Sequence, residues 1–282
     1  MIILNNGKLE VKIAKKGAEI RSVKLNGEER FWSGNPDVWD GVAPVLFPLC
    51  GSVRDDKYTI SGKEYSVSKH GFARKMDFTV EACGNATAVF LLTETEETLK
   101  SFPWCFEFRV KYTLSGTSIK VEYDVKNTSD SSMYMAMGAH EAYSCPEGIE
   151  DYDIIFERKE TLNAARVEGS LISRTNSDTV LFESDTLPLY TKYFEVDALV
   201  FTDIKSRFAT LRNRKTGKSV SVDFNGFDNL LIWTKPNAPY VCLEPWTCPP
   251  SYIGDDYDIT LKEGIHEVLA GEHFKRTHTI YL

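Results

Sequence analysis

Two histidines and one glutamate stand in sequence surroundings that suit proton transfer. His70 lies in Lys69-His70-Gly71-Phe72-Ala73-Arg74, and His140 in Met137-Gly138-Ala139-His140-Glu141-Ala142-Tyr143. Both sit near glycines, among small and aromatic residues. An imidazole titrates near neutrality, so a positioned one gives or takes a proton at working pH. The plainer role for each is a hydrogen-bonded histidine at a strand end. Glu244 lies in Tyr240-Val241-Cys242-Leu243-Glu244-Pro245-Trp246. A carboxylate in so apolar a run is either salt-bridged or raised in pKa by burial, and a raised carboxyl suits a general acid or base. Prolines at 236, 239, 245, 249 and 250 make the surrounding stretch rigid. His266, His273 and His278 crowd the C-terminus near Lys275 and Arg276 and read as surface positions.

Other residues could recognise a ligand rather than react with it. Arg54 follows the apolar, proline-containing stretch Ala43 to Pro48 and is either an anchored polar contact or a surface ion pair. Trp32, Trp39, Trp104, Trp233 and Trp246 are core residues or platforms for the flat face of a sugar ring. The common phosphate-cradling and nucleophile-elbow signatures are absent. His140-Glu141 and His266-Glu267 begin like a zinc-protease motif, but the second-histidine positions hold Ser144 and Ala270. No metal site is expected from this spacing.

Composition narrows the classes further. Lys plus Arg is 33 and Asp plus Glu is 41, a net charge of −8 over 282 residues. That balance argues against general nucleic-acid binding, which needs a positive footprint. The apolar stretch Val42 to Cys50 contains Pro44 and Pro48 and is far shorter than the roughly 20 residues of a membrane helix. Met1 to Asn6 has neither a basic n-region nor a long apolar run. The six cysteines form no CxxC pair and read as reduced thiols. The expectation is a cytoplasmic protein with no nucleic-acid or membrane partner.

The elements that must position these groups are strands. Ile119, Val121, Tyr123 and Val125 alternate with charged residues, and so do Phe106, Phe108, Val110, Tyr112 and Leu114 before Ser115-Gly116. These two runs predict an antiparallel hairpin. Leu9 to Ile13 alternates likewise. Asn26-Gly27, Ile60-Ser61-Gly62-Lys63 and the segment 214–218 read as turns, the last joining Phe208–Leu211 to Val220–Phe224. Thr95 to Ser101 allows one or two helical turns, ended by Pro103. Strand follows strand without βαβ alternation. An all-β fold of two large antiparallel sheets, a single domain over residues 1–282, is predicted.

Taken in order, these segments resemble the aldose 1-epimerase (galactose mutarotase) superfamily. The resemblance starts at Gly17-Ala18-Glu19-Ile20 and Trp32. It continues through Pro44-Val45-Leu46-Phe47-Pro48-Leu49-Cys50-Gly51 with Arg54, then His70-Gly71-Phe72-Ala73-Arg74 and Phe102-Pro103-Trp104. It resumes at Val125-Lys126-Asn127, Gly138-Ala139-His140, Asp197-Ala198-Leu199-Val200-Phe201, Ile232-Trp233-Thr234, Cys242-Leu243-Glu244-Pro245-Trp246 and Leu269-Ala270-Gly271-Glu272. It implies one large antiparallel β-sandwich, a free sugar in an open cleft, and no metal or organic cofactor. It implies a monomer or homodimer that interconverts α and β anomers by ring opening. Glu244 matches the general base and His140 the general acid. His70 matches a second histidine that binds the sugar, and Arg54 and Asp197 match positions that hold its hydroxyls. Asp203 and Asp223 are neighbouring alternatives to Asp197.

Two departures bear on substrate. In many relatives the acid histidine is followed by proline and an aromatic residue, whereas here Glu141, Ala142 and Tyr143 follow. Facing the cleft, Glu141 would raise the imidazole pKa; facing away, it would leave it alone. His70 to Arg74 also resembles the branch of hexose-6-phosphate 1-epimerases, where Arg74, with Lys75, would contact a phosphate. A hexose phosphate is therefore the alternative substrate, with Arg74 as a simple turn residue otherwise. A carbohydrate-binding protein without turnover and a glycoside hydrolase or lyase, the latter needing a second carboxylate near Glu244, are the competing functional classes.

Overall fold

Antiparallel pairing follows the period of two wherever the sequence shows it. A computed structural model describes all 282 residues. Phe106–Ser115 and Ser118–Asn127 form the expected hairpin, with Ser115 opposite Ser118 and Phe106 opposite Asn127. The alternating apolar residues of both strands are buried, and the charged residues between them face outward. Lys57–Ile60 with Lys63–Ser66, and Phe208–Asn213 with Ser219–Asp223, also pair across the predicted turns. The α-helix Glu96–Ser101 begins at Thr95, whose hydroxyl accepts the Thr98 N–H, and ends before Pro103.

The main sheet has 13 strands, all paired antiparallel. One end runs Glu141–Ser144, Tyr240–Trp246, Asn229–Trp233, Leu199–Phe201, Tyr152–Glu168. The other continues through Phe208–Asn213, Ser219–Asp223, His273–Tyr281 and the long hairpin to Thr79–Cys83. A smaller four-stranded sheet is made from the first 29 residues. No helix is long and apolar enough to cross a membrane.

The large sheet folds over on itself. Glu141, on its first strand, reaches His278, on its eighth, with Oε1 2.9 Å from Nε2 inside the core. His278 is only 1% exposed, which corrects its reading as a surface residue. Its basic neighbours misled, because alternation along His273–Tyr281 sends Lys275 out while His278 and Ile280 face in. Its ring stacks on Tyr123 at 5.7 Å and 23°. His266 is half-buried, with Nε2 at the Thr247 carbonyl, and His273 is exposed beside Asp124.

Sixty-four buried apolar residues form one contiguous cluster. Phe47 is at an aromatic node within it. Its ring lies 5.9 Å from Phe72, 5.7 Å from Phe102, 5.0 Å from Phe106 and 4.7 Å from Phe108, centroid to centroid. Deleting such a ring removes both burial and contact. Phe47→Ala is expected to lower stability by about 3–5 kcal/mol. Chemical denaturation should show this as a lower midpoint at unchanged slope. A loss below about 1 kcal/mol would mean that the surrounding rings collapse into the gap.

Candidate active site

Main-chain hydrogen bonds draw three distant segments into one place. Leu46 and Gly138 exchange N–H···O bonds of 2.9 and 3.1 Å, and the Ala136 N–H donates to the Pro48 carbonyl at 2.7 Å. On the other side of the same segment, the Ala139 N–H donates to the Pro245 carbonyl and the Thr247 N–H to the Met137 carbonyl, both at 3.0 Å. Residues 136–139 are thus held between 46–48 and 245–247. Gly138 is required by the squeeze. A Cβ there would lie 2.7 Å from Cδ1 of Trp246 and 3.0 Å from Sγ of Cys50. The His70 loop joins through Phe47, whose carbonyl accepts the Phe72 and Ala73 N–H groups at 3.0 and 3.1 Å.

Alternation then aims the side chains. Glu141 pairs with Leu243, so His140 and Glu244 emerge together on the opposite face. His140 Nε2 and Glu244 Oε2 are 3.4 Å apart, and both residues are buried. His140 stacks on Trp39 at 5.2 Å and meets Trp233 edge-on at 5.6 Å. His70 stands at right angles to His140, 5.6 Å away, and edge-on to Trp246 at 5.3 Å. The Gly51 N–H donates to His70 Nδ1 at 3.1 Å, which leaves the ring proton of the neutral imidazole on Nε2.

The three groups line a cleft of about 480 Å³. Burial pushes the Glu244 carboxyl well above the usual carboxylate range. Burial also pushes His140 down to about 3, and holds His70 well below the ordinary imidazole value, with His140 a lesser cause. The dominant cause is the same throughout: an apolar enclosure disfavours charge. Burial therefore favours the neutral form of both groups in the His140–Glu244 pair.

Of the other sequence-predicted residues, Asp197 and Arg74 line the cleft, while Asp203 and Asp223 do not. Arg74 donates from Nη2 to the Lys69 carbonyl at 3.0 Å and has an unpartnered, buried Nε. Arg54 lies outside the cleft lining. Its guanidinium lies over the Tyr257 ring, 4.6 Å from the centroid, and donates to the Asp255 carbonyl at 3.3 Å. Glu141 faces away, into the core. Trp39, Trp233 and Trp246 line the cleft; Trp32 supports Trp39 by donating from Nε1 to its carbonyl, and Trp104 is core.

Sequence reasoning missed Lys69 and Lys235, which also line the cleft. Lys69 Nζ is 3.6 Å from Asp197 Oδ2 across the mouth. Its signal was its place directly before His70. Cys242 was missed as well. It precedes Glu244 by two residues on the same strand, so it shares its face, and the donor atoms of His140, Cys242 and Glu244 all lie within 4.8 Å of one another.

The sequence model of the family "Aldose 1-epimerase" matches residues 1–273. Protein LacX (plasmid) of Lactococcus lactis subsp. lactis is 33% identical over 293 aligned residues, covering 99% of this chain and 98% of that protein. A galactose mutarotase related enzyme from Lactobacillus acidophilus superposes with a TM-score of 0.94 at 32% identity, covering 99% and 96% of the two chains. A galactose mutarotase-like protein from Lactobacillus casei superposes equally well, at 0.94, with 28% identity and coverage of 100% and 99%.

The raised Glu244 pKa makes a stability prediction. The native state resists ionising this carboxyl and the unfolded chain does not, so the residue destabilises the fold increasingly as pH rises above 4.5. Glu244→Gln is expected to melt higher than wild type at pH 8, by at least about 2 °C, the shift that about 1 kcal/mol gives in a domain of this size. The difference should vanish at pH 4, where the carboxyl is protonated in both states. An equal or lower melting point at pH 8 would count against a buried, protonated Glu244.

Proposed function

The chain belongs to the aldose 1-epimerase family, and from that premise we propose that it interconverts the α and β anomers of a free hexose. The observation that carries this reading is the His140–Glu244 pair, 3.4 Å apart at the floor of an aromatic cleft with His70 beside it. Anomerisation needs one group to take the proton of the anomeric hydroxyl and another to give one to the ring oxygen. A carboxylate and an imidazole suffice, without a covalent intermediate.

The pair begins with one proton. Moving it from Glu244 to His140 creates the carboxylate base and the imidazolium acid together. Glu244 then takes the hydroxyl proton as His140 protonates the ring oxygen, and the C1–ring-oxygen bond breaks to give the open-chain aldehyde. The pair again holds one proton, now on Glu244. Rotation about C1–C2 and the reverse transfers close the other anomer. His70 donates from Nε2 to the sugar, its orientation fixed by the Gly51 N–H. Trp39 and Trp233 offer apolar faces to the ring, and Asp197 with Lys69 offers partners for its hydroxyls.

A second reading is favoured by one observation. Lys69, Arg74 and Lys235 all line the cleft, and a cluster of cations suits a phosphate. A hexose phosphate is thus the alternative substrate, with Arg74 as the residue that would separate the two.

Anomer exchange by NMR with glucose, galactose and glucose 6-phosphate tests the proposal. Glu244→Gln and His140→Asn should each lower kcat by about 10²–10⁴-fold, the usual worth of one acid–base group. Arg54→Ala should leave kcat and KM within about twofold, since surface contacts of this kind contribute little. Arg74→Ala should raise KM for the phosphorylated sugar alone if that is the substrate. No acceleration with any sugar would remove the epimerase reading and favour a binding protein.

The pH profile is a sharper test. The active form is the pair with one proton. Acid removes it only when His140, held down near 3, takes a second proton. Alkali removes it when Glu244 loses its own, above the usual carboxylate range. These apparent values belong to the pair. So the acid limb of kcat/KM should lie well below pH 6.5, the ordinary imidazole value. An acid limb centred at 6.5 would show a freely titrating histidine and overturn the shared-proton scheme.

A further inference from the structure

We propose that the cleft floor is a binding site for zinc or a similar borderline-soft divalent metal, held by His140, Cys242 and Glu244, and that the metal inhibits the enzyme. The inhibitory consequence rests on the epimerase reading; the binding site does not.

Geometry argues first. The three donor atoms lie within 4.8 Å of one another on adjacent strands. Zinc bond lengths of about 2.0–2.3 Å with tetrahedral angles put ligand atoms about 3.3–3.6 Å apart. His140 Nε2 and Glu244 Oε2 already stand at 3.4 Å. The sulfur has about 1 Å to close, within the reach of a small side-chain rotation. Neither nitrogen of His140 has another protein side chain as partner, and its buried Nδ1 has no hydrogen-bond partner at all.

Donor chemistry argues second. Imidazole nitrogen, thiolate and carboxylate are each zinc ligands, and three of them leave the fourth position to the cleft. Hard cations such as magnesium or calcium want six or more oxygen ligands and find none of that here. Charge also balances. A dication with one thiolate and one carboxylate ligand makes a neutral set, which suits a buried position. Cys242 lies 0% exposed behind the pair, among Ala142, Ala238 and Tyr240, so the ion would be drawn to the back of the cleft. There it occupies the lone pairs of both proton-transfer groups. The sequence shows none of this, since the residues are about a hundred positions apart and only the strand pairing unites them.

The test uses cobalt as a spectroscopic stand-in for zinc, on the full chain stripped of metal. Cobalt should give a thiolate charge-transfer band in the near ultraviolet that zinc abolishes. The band should persist in a Cys83→Ser/Cys105→Ser background, which removes the two cysteines that are not buried, and disappear in Cys242→Ala. Zinc should slow anomer exchange, chelator should restore it, and Cys242→Ala should need at least about tenfold more zinc for the same inhibition. Inhibition is read in each protein against its own metal-free turnover. No band in the wild type, or a band that survives Cys242→Ala, overturns the site. A band that depends on Cys242 in a protein that accelerates no sugar would keep the site and remove the epimerase reading. Undiminished zinc inhibition in Cys242→Ala would place the inhibition elsewhere.

Discussion

The site depends on a main-chain contact with no room for a side chain. Gly138 is held against Leu46 on one side and Trp246 on the other, and a single methyl there meets Trp246 and Cys50 at once. That contact sets the distance between the strand carrying Glu244 and the residue two positions on, His140. The neighbouring carbonyl of Phe47 receives the His70 loop. The three proton-handling side chains are thus fixed by backbone hydrogen bonds rather than by bonds among themselves. Such bonds, buried and fully made, give the alignment that proximity catalysis requires. The aromatic node under Phe47 stiffens the same segment from below.

Enclosure by tryptophans and strands has a second consequence. It pushes a carboxyl up and an imidazole down, so it favours the neutral form of both. In the proposed reaction such a pair would reach its reactive arrangement by a short internal proton transfer, and each half of that reaction would return it to the same proton count. A pair of fixed charges would hold water and lose the low dielectric that strengthens contacts to the sugar. The cation-lined mouth, with Lys69 against Asp197, is polar, while burial disfavours charge on the floor.

How much of this was legible depends on what each residue's neighbours encode. Glu244 was legible because five apolar or aromatic residues surround it, and His70 and His140 because glycines flank them. The hairpin over 106–127 was legible because alternation is unbroken. The arm of Tyr152–Glu168 and Leu171–Pro188 was not, because residues 174–179 are exposed without alternation and the pairing is bulged. Arg54 failed for a directional reason: it sits in a tight turn with Asp55 at positive φ, and its side chain leaves toward Tyr257. His278 failed because basic neighbours mask an inward position. Lys69 and Cys242 carry no pattern of their own; only their offset from His70 and Glu244 places them.

Glu141 shows how one strand can serve two environments. The order His140-Glu141 puts successive side chains on opposite faces. The histidine enters the cleft, and the glutamate enters the core, where it meets His278 at 2.9 Å. Had the strand slipped by one residue, a carboxylate would lie in the cleft and an imidazole in the core. The pairing with His278 opposes that slip, because a shifted Glu141 would leave a buried His278 nitrogen without its hydrogen-bond partner, and leaving a buried polar group unpaired costs about 1–3 kcal/mol. Glu141 thus locks the register of its strand from behind. The core pair and the cleft pair are therefore two faces of one constraint on a strand of four residues.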